Sequence, residues 1–454
     1  MTSTAKVAGA DRLADHYEAL ATRWPQTSTG DYASLVVPTG NADQPFHGWF
    51  HFKEAFSHEL LRRVLKDVRL DGSKHLSVFE PFAGAGTTAA SMGLLADAGE
   101  LETASYSGYE ANPFLHLLSS TKLRALQHEQ DGVVETAHAV ATAASLSKQR
   151  VAVPGLSTFE GTFFDTDALQ SLLQLREAIE AVEAPELTKD VLRVCLAATV
   201  EPSSSLRKDG RALRRTAGPR TADPTAWFLA LVARVADDVA AASASVSGAV
   251  TLGDVRTCPV TGPADVDLSL FSPPYPNNID YTEVYKLEAW FLGLITDREH
   301  FRASRVATLR SHGSLRWADD YAFASSDEAA QVQALLDPVL GAIPLGRYES
   351  ARRQLVLGYA DDMLTTLRVV GARLRPGGHM VCIVGNSLHG SGDASLLVAA
   401  DLLIARLSEL VGLRVDRLEV ARVPTRRSHS SRFLRETAIF ASKPAERSQP
   451  ESQA

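Results

Sequence analysis

The chain has 454 residues, 45% of them apolar and 22% charged, and a formal net charge of −8. This length and composition predict an ordinary soluble globular protein with a large core and one catalytic domain that carries sizeable insertions. Residues 1–10 lack a basic start followed by an apolar core, and no later apolar run has the length of a membrane span, which argues against secretion and membrane insertion. Three widely separated cysteines indicate neither a metal cluster nor a disulfide framework, and they fit a reducing cytoplasm.

The first part of the chain shows helical and aromatic patterns without visible chemistry. Apolar residues at helical spacing predict a helix over residues 11–24, followed by a polar, glycine-bearing connector. We therefore assign residues 1–45 to an N-terminal helix and linker. The aromatic run at residues 47–56 leads into Ser57, a good helix cap, and by itself this run indicates core packing.

A glycine-rich turn at residues 78–88, with the sequence VFEPFAGAGTT, joins a short apolar strand to a helix. Gly84 and Gly86 allow the backbone to approach a ligand closely, and the start of the helix offers unpaired N–H groups. In a nucleotide-binding fold this turn would hold the cofactor. Such turns also serve simply to connect strands to helices, so the turn alone leaves both interpretations open.

Two acidic residues follow predicted strands beyond this turn. Glu110 ends a strand about 20 residues past the glycines, where doubly wound folds bind ribose hydroxyls. The alternative for Glu110 is a capping acid ahead of Asn112, and the alternative for Asp254, at the tip of the next strand, is a plain turn aspartate. The chain between the two strands shows long helical patterns and is too long for one crossover, so we predict a helical insertion over residues 115–247.

The negative net charge argues against a nucleic-acid partner, because phosphate binding depends largely on Lys and Arg, but local charge differs from net charge. Residues 204–220 form a basic loop that carries one acid. Two further clusters are Arg302, Arg305, Arg310 and Arg316, and Arg422, Arg426, Arg427, Arg432 and Arg435. One such cluster is typical of a solvated face, but three around one catalytic core favour an anionic polymer. The residues predicted to contact phosphates are Arg207, Lys208, Arg211, Arg214 and Arg215.

An apolar strand at residues 267–271 ends abruptly in a polar residue, two prolines and an aromatic residue. Such a strand is typically buried and delivers a rigid polar tip to a pocket. Pro273 and Pro274 remove two N–H donors, so the carbonyls there can accept hydrogen bonds, and the Ser272 hydroxyl adds another acceptor. With the Tyr275 ring as a stacking platform, this tip suits the exocyclic amino group of a nucleobase flipped out of its helix. By itself the tip is also compatible with a proline turn that closes a strand.

Beyond the tip, polar residues in 277–288 could line a base pocket or cap a helix. Residues 296–346 form a basic and then acidic insertion, and 347–375 predict a long helix stopped by Pro-Gly-Gly at 376–378. The last residues, 443–454, have the composition of a disordered tail. The remaining strands are predicted at 381–384, 413–420 and 437–441.

The order of these elements predicts the fold class. Strands alternate with helices, a glycine turn follows the first strand and acids follow the next two, which predicts a doubly wound α/β sheet with helical insertions. We expect residues 46–114 to form the cofactor-binding half and residues 248–442 the catalytic half.

The glycine turn and the Ser-Pro-Pro-Tyr tip together resemble the motifs of S-adenosylmethionine-dependent DNA amino-methyltransferases, which act on N4 of cytosine or N6 of adenine. That family's catalytic motif is Asp, Asn or Ser followed by Pro-Pro and an aromatic residue, and its cofactor loop is similar to the Phe-x-Gly-x-Gly-Thr segment found here. The resemblance covers residues 46–110 and 249–441. It implies a Rossmann-like class I methyltransferase sheet of seven strands, the last antiparallel. The helical insertion departs from any compact version of that fold, and the glycine loop precedes the catalytic motif.

The resemblance also implies S-adenosylmethionine as the cofactor. Lys53 and Phe56 of the aromatic run would cover its methionine end, Glu110 would contact the ribose, and Asp254 would contact the adenine. The full set of cofactor residues implied by the matched motifs is Lys53, Phe56, Glu80, Pro81, Phe82, Ala83, Gly84, Gly86, Thr87, Glu110, Asn112 and Asp254.

The activity implied by the resemblance is methyl transfer to an exocyclic amino nitrogen of double-stranded DNA, without a metal and with Ser272, Pro273, Pro274 and Tyr275 as the catalytic tip. A carbon-5 cytosine mechanism would need a cysteine nucleophile, and none lies near this tip in the sequence. Serine at the first motif position favours N4 of cytosine over N6 of adenine. The helical insertion would contact the DNA, and a cognate restriction or defence system would be a further partner. Methylation of RNA or of a protein amide, and an inactive nucleic-acid-binding module, remain open.

Overall fold

The structure is a computed structural model, and it describes residues 3–128, 131–148, 150–153, 163–208, 213–242, 245–257, 264–277, 279–423 and 431–445. Among these residues, no helix combines the length and apolar character that crossing a membrane requires. The strands are β1 (Gln26–Thr27), β2 (His75–Glu80), β3 (Thr103–Glu110), β4 (Leu206–Lys208), β5 (Leu213–Arg215), β6 (Val246–Leu252), β7 (Val266–Phe271), β8 (Leu374–Gly385), β9 (Ser387–His389), β10 (Leu396–Val398), β11 (Arg414–Arg422) and β12 (Glu436–Ser442).

Helices alternate with these strands along most of the chain. They are α1 (Ser3–Ala21), α2 (Leu60–Asp67), α3 (Thr87–Asp97), α4 (Pro113–Ala125), α5 (Val133–Leu146), α6 (Thr166–Ala181), α7 (Glu186–Val200), α8 (Pro224–Ala240), α9 (Tyr281–Val284), α10 (Lys286–Phe291), α11 (Arg298–Val306), α12 (Ala329–Gly341), α13 (Glu349–Arg373) and α14 (Ala400–Leu410).

In the part of the chain that the structure describes, one sheet of eight strands organises the fold, in the order β1-β11-β12-β8-β7-β2-β3-β6. Neighbouring strands are parallel except at β12, which runs antiparallel to both β8 and β11. The predicted α/β sheet is therefore confirmed, including its antiparallel last strand. The eighth strand, β1, was not predicted, because two residues in a polar connector carry no strand pattern. It pairs with the outer edge of β11.

The centre of the sheet is the place where the strand order reverses. From β2 the chain builds outward through β3 and β6, and it then returns to add β7 on the other side of β2. In open α/β sheets, ligands bind outside the carboxyl ends of the strands at such a switch point. The glycine turn after β2, Glu110 at the end of β3, Asp254 after β6 and Ser272 after β7 all lie at this edge.

Alternating apolar residues of the inner strands pack into two layers. In β8, Met380 and Cys382 face a core built with α1, α12, α13 and α14, whereas Val381 and Ile383 face a core built with α2 and α3. A strand buried on both faces needs a continuous apolar run, which explains why the strands at 267–271 and 381–384 were visible in the sequence.

Helices α5 to α8 and the hairpin of β4 and β5 lie between β3 and β6 in the chain, within the predicted insertion. Their apolar side chains share a core with Trp49 and Phe50 of the aromatic run and with Trp290 of α10. Helix α4 packs directly on β3 and β6. The helical content of this region was predicted correctly, and the division of the chain into domains stays a prediction.

Two details near the end of the chain differ from the predictions. The long helix ends at Arg373, and the Pro-Gly-Gly segment lies inside β8, where the register with β7 shifts between the pairs Val266–Leu374 and Leu268–His379. The segment thus forms a bulge in a strand. The predicted tail begins later than residue 443, because Lys443 donates through Nζ to a β8 carbonyl at 2.8 Å. Residues 446–454 of that tail lie outside the described residues.

Candidate active site

A cavity of about 430 Å³ opens at the carboxyl edge of the sheet, beside the switch point between β2 and β7. All of the predicted catalytic residues line it, as do all of the predicted cofactor residues except Gly86. Its volume falls within the range typical of small-molecule sites. Residues as distant in the chain as Glu80 and Tyr275 meet here because the carboxyl ends of the parallel strands β2 and β7 share one edge. What each residue binds stays a prediction.

The two glycines of the turn have different structural roles. Both have positive φ angles, 52° at Gly84 and 74° at Gly86, which favour glycine. A Cβ atom on Gly84 would meet the Phe52 ring at 3.4 Å, on the wall of the cavity. A Cβ atom on Gly86 would approach Ser119 of α4 to 3.1 Å. Gly86 therefore permits close packing of α3 against α4, and its contact with the cofactor stays a prediction.

Glu110, at the end of β3, binds the backbone of the glycine turn. One carboxylate oxygen accepts from the N–H of Gly84 and the other from the N–H of Asn112, each at 2.8 Å. Burial raises the pKa of Glu110 to about 7. The capping role falls to Asn112, whose Oδ1 accepts from the backbone of Phe114 and Leu115. The backbone N–H groups of Gly84, Ala111 and Asn112 leave part of the accepting capacity of Glu110 unused, so this residue fits the predicted ribose contact.

Glu80 lies directly below the glycine turn, at the end of β2, and is 2% exposed. The Tyr106 hydroxyl donates to its carboxyl group at 2.6 Å. Burial raises the pKa of Glu80 to about 8, and the negative charge of Glu110 acts in the same direction. At neutral pH this carboxyl group is mostly protonated, so it can donate as well as accept a hydrogen bond.

Asp254 is held in place by an arginine two residues later. Arg256 Nε donates to both carboxylate oxygens of Asp254, at 2.9 and 2.8 Å, and its Nη1 pairs with Asp362 at 2.6 Å. The same guanidinium donates to the carbonyls of Ala307 and Thr308, two residues of the cavity wall. The Asp254 carboxylate thus has a fixed orientation at the cavity wall, and its contact with the adenine stays a prediction.

The aromatic run contributes another part of the cavity wall, next to the glycine turn. Lys53 is exposed there and Phe56 is buried. Two neighbours that the sequence analysis did not single out also line the cavity. Phe52 packs on Tyr285 with ring centroids 5.2 Å apart, and Glu54 accepts a hydrogen bond from the Tyr285 hydroxyl. Burial raises the pKa of Glu54. A single acid within an aromatic run matches no motif, so Glu54 could not be identified from the sequence.

The catalytic tip after β7 is held in place by residues of β8, β11 and β12. Ser272 Oγ donates to Tyr275 Oη at 3.3 Å, and Tyr275 Oη donates to Glu436 Oε1 at 2.6 Å. Arg422 of β11 pairs with the other oxygen of Glu436. A Cβ atom on Gly385 would come within 2.8 Å of the Tyr275 ring, so one ring edge lies directly against the end of β8. Sequence reasoning missed Glu436 and Gly385, which belong to no motif, and it identified Arg422 only as a member of a basic cluster.

The polar segment after the tip both caps a helix and lines the cavity, and its part in binding a base stays a prediction. Asp280 caps α9 through the N–H of Thr282 at 3.1 Å and also binds Arg305 at 2.7 Å. His312 lies 3.6 Å from the same carboxylate and is buried in the cavity wall. The members of the segment that line the cavity are Asn277, Ile279, Tyr281 and Thr282.

The structure does not support phosphate contacts for two of the residues in the basic loop. Lys208 is buried between Glu201, at 2.8 Å, and Glu288, and its ammonium group lies over the Phe50 ring at 5.1 Å. Arg207 donates to backbone carbonyls, including that of Ser204 at 3.0 Å. Both cations therefore hold the β4–β5 hairpin to its surroundings. Basic composition did not reveal this, because the acids that pair with Lys208 lie outside the loop.

Other members of the predicted phosphate-binding set are differently placed. Arg214 and Arg215 are exposed on β5, and Arg215 lies 5.9 Å from the centre of the Phe163 ring. Arg211 lies outside the described residues.

The two other arginine clusters are largely neutralised within the protein. Arg305 pairs with Asp280, and Arg310 pairs with Asp361 and Asp362. In the last cluster, three arginines pair with acids and Arg426 and Arg427 lie outside the described residues; the pairs are Arg422–Glu436, Arg432–Glu18 and Arg435–Asp401.

Comparison with protein-family models finds no match. Comparison with curated proteins finds the Type II methyltransferase M.BsoBI of Geobacillus stearothermophilus, 23% identical over 448 residues, which span 88% of this chain and 84% of that protein. The Type II methyltransferases M.AvaI of Nostoc sp. and of Anabaena variabilis are each 22% identical over 434 residues, covering 88% of this chain and 85% of theirs.

Among solved structures, a SAM-dependent methyltransferase of Methanosarcina mazei aligns with 84% of this chain and 98% of its own, at 8% identity and a TM-score of 0.28. The α/β fold is instead identified from the strand order of the sheet. The comparisons therefore place this chain, over 88% of its length, alongside Type II methyltransferases.

Proposed function

We propose that this protein is a DNA methyltransferase that transfers a methyl group from S-adenosylmethionine to an exocyclic amino nitrogen, with N4 of cytosine as the target. The observation that carries the proposal is the meeting of the glycine turn and the Ser-Pro-Pro-Tyr tip in one cavity at the switch point of the sheet. The similarity to Type II methyltransferases along most of the chain supports it.

The residues around the cavity fit this cofactor. Gly84 has a positive φ and leaves the turn without a side chain at the cavity wall, Glu110 has lone pairs for ribose hydroxyls, and Asp254 presents a fixed carboxylate. Lys53 and the ring of Phe52 also line the cavity. When bound, the cofactor supplies a methyl group on a positively charged sulfur, and the protein needs only to position and orient the acceptor.

The tip provides that orientation. Ser272 Oγ and the carbonyl of Pro273 would accept the two hydrogens of the target amino group, which turns the nitrogen lone pair toward the methyl group. Tyr275 would stack on the flipped base with the part of its ring that lines the cavity. No covalent intermediate with the protein is required, and the described cysteines, Cys195 and Cys382, are both buried.

Cytosine is preferred because serine occupies the first position of the catalytic motif. Both cytosine and adenine present a pair of amino hydrogens, so the product decides the assignment. DNA incubated with the enzyme and S-adenosylmethionine is digested to nucleosides, which are identified by mass. We expect N4-methylcytosine. Methyladenine would overturn the choice of base, and a methylated RNA or protein in parallel assays, with unmodified DNA, would overturn the DNA substrate.

Exposed arginines of β5, Arg214 and Arg215, are the proposed phosphate contacts that remain from the basic loop. The Type II designation of the similar proteins supports a cognate restriction enzyme as a partner in the same cell.

A further inference from the structure

Three polar side chains form a chain of hydrogen bonds from the cavity into the sheet. Ser272 Oγ donates to Tyr275 Oη at 3.3 Å, and Tyr275 Oη donates to Glu436 Oε1 at 2.6 Å. Glu436 is buried at the start of β12, opposite Gly385 in the register with β8, and Arg422 binds its second oxygen. The residues that line the cavity include all three members of this series and Arg422.

The acid at the end of this hydrogen-bonded series, Glu436, determines the direction of each hydrogen bond in it. A carboxylate only accepts hydrogen bonds, so Tyr275 must direct its single hydrogen to Glu436. Burial and the charge of Glu436 raise the pKa of Tyr275 well above its ordinary value, so this hydroxyl keeps its hydrogen. Its oxygen can then only accept from Ser272. Ser272 in turn uses its single hydrogen and presents lone pairs alone to the cavity.

We propose that Glu436 is a positioning residue that acts through Tyr275 to hold Ser272 as a hydrogen-bond acceptor for the target amino group. This inference rests on the proposed function. A serine hydroxyl that rotates freely can also donate its hydrogen to the amino nitrogen, and such a bond occupies the lone pair that must attack the methyl group. The buried acid removes that competing orientation. Glu436, which lies 161 residues after Tyr275 in the sequence, thereby makes the neutral Ser272 act only as an acceptor, as an acid at this position would.

The test compares Glu436→Gln, Tyr275→Phe and the double variant. An amide at position 436 can donate to the Tyr275 hydroxyl, which reverses the direction of the hydrogen bonds. Phenylalanine at position 275 keeps the ring and removes the hydroxyl that links Glu436 to Ser272. We expect each single variant to lower kcat roughly 10- to 100-fold with little change in the KM for S-adenosylmethionine. The double variant should be no slower than the worse single variant, because both substitutions break the same chain. Independent structural damage would instead give losses that multiply.

Asp416→Asn is the matched control, since it makes the same acid-to-amide change on β11 at a residue that does not line the cavity, and it should leave kcat unchanged. Calorimetry with S-adenosylmethionine verifies that each variant retains a folded cavity. As a readout without turnover, the Cζ resonance of Tyr275 in tyrosine-labelled enzyme, assigned with Tyr275→Phe, should shift at neutral pH in Glu436→Gln.

Full activity and an unshifted resonance in Glu436→Gln would overturn the inference while leaving the proposed function intact. Multiplicative losses in the double variant would reduce Glu436 to a structural residue and also overturn it. If the unaltered enzyme binds S-adenosylmethionine but methylates neither base of DNA, the proposed function is overturned, and the positioning role falls with it.

Discussion

Glu80 and Glu110 place two buried carboxyl groups beneath one glycine turn. The Tyr106 hydroxyl and the backbone N–H groups of Gly84 and Asn112 satisfy them, but burial still raises both pKa values, to about 8 and about 7. Such perturbed acids are typical of ligand sites, where an uncharged or half-charged carboxyl group makes bonds that a solvated one would not. The turn is therefore sensitive to pH in a way that a simple connecting turn is not.

This arrangement predicts that the contribution of Glu80 to stability falls as pH rises. The carboxyl group of Glu80 has a pKa near 4.5 when exposed and about 8 in the folded protein, so between these values the folded state binds more protons. Its contribution to the free energy of unfolding is complete below the lower value and is lost as pH rises through the higher one, by at most about 1.4 kcal/mol per pH unit. We expect Glu80→Gln to flatten the decline in thermal unfolding temperature between about pH 5 and about pH 9. Glu102→Gln, at an exposed acid, should retain the slope; equal slopes in all three proteins would refute the assignment.

Gly385 provides a second test at a single position. An added methyl group would lie 2.7 Å from the Tyr275 ring, whose hydroxyl is held by Glu436, so the ring must move. We expect Gly385→Ala to destabilise the protein by about 1–3 kcal/mol. Its kcat should fall roughly 10-fold, with S-adenosylmethionine affinity largely preserved.

The control for this substitution is Gly341→Ala at the end of α12, where an added Cβ meets no atom within 4 Å. It should leave both stability and kcat near those of the unaltered enzyme. Normal methyl transfer by Gly385→Ala would show that the position of the tyrosine ring is unimportant.

The β4–β5 hairpin shows how an element can divide one basic segment between two tasks. Lys208 faces inward and binds Glu201 and Glu288, whereas Arg214 and Arg215 on the paired strand face solvent. The acids that bury Lys208 lie outside the hairpin, so the composition of the hairpin alone does not reveal which of its cations are covered. The hairpin is thus both an anchor for the aromatic wall of the cavity and a candidate contact with DNA.

If the exposed face of this hairpin contacts DNA, the salt dependence of binding should report it. Each phosphate contact contributes about 0.9 to the slope of log affinity against log salt, so Arg214→Ala with Arg215→Ala should flatten that slope by up to about 1.8. Fluorescence anisotropy with duplex DNA measures it. Arg23→Ala with Arg414→Ala removes the same charge from two other exposed positions and should leave the slope unchanged. Identical slopes in both double variants would exclude the hairpin from the interface.

The elements that the sequence predicted well are those with a local physical cause. The strand at 267–271 is visible because it is buried on both faces, and the glycine turn is visible because positive φ angles demand glycine. The Pro-Gly-Gly segment was misassigned because a stop signal for a helix and a bulge in a strand use the same residues. In each case the local pattern identified an irregular backbone correctly, and tertiary pairing decided which irregularity it became.

For the molecule as a whole, the sequence predicted which strand tips meet and not what supports them. Parallel strands bring Gly84, Glu110, Asp254 and Ser272 to one edge, a consequence of topology that follows from the order of elements. The partners of the tip obey no such rule. Glu436 reaches Tyr275 only because β12 inserts between β8 and β11, and residues that meet through this insertion have no common pattern in the sequence.

The position of β12 between β8 and β11 affects how the protein folds during its synthesis on the ribosome. Strand β12 is synthesised after every other strand of the described sheet, yet it occupies an interior place between β8 and β11. While residues 436–442 are still inside the exit tunnel, the emerged chain exposes the edge of β8, whose residues 380–384 are apolar and are buried in the finished fold. An open apolar edge is prone to pair with other chains, so this interval is when we expect the nascent protein to depend most on chaperones.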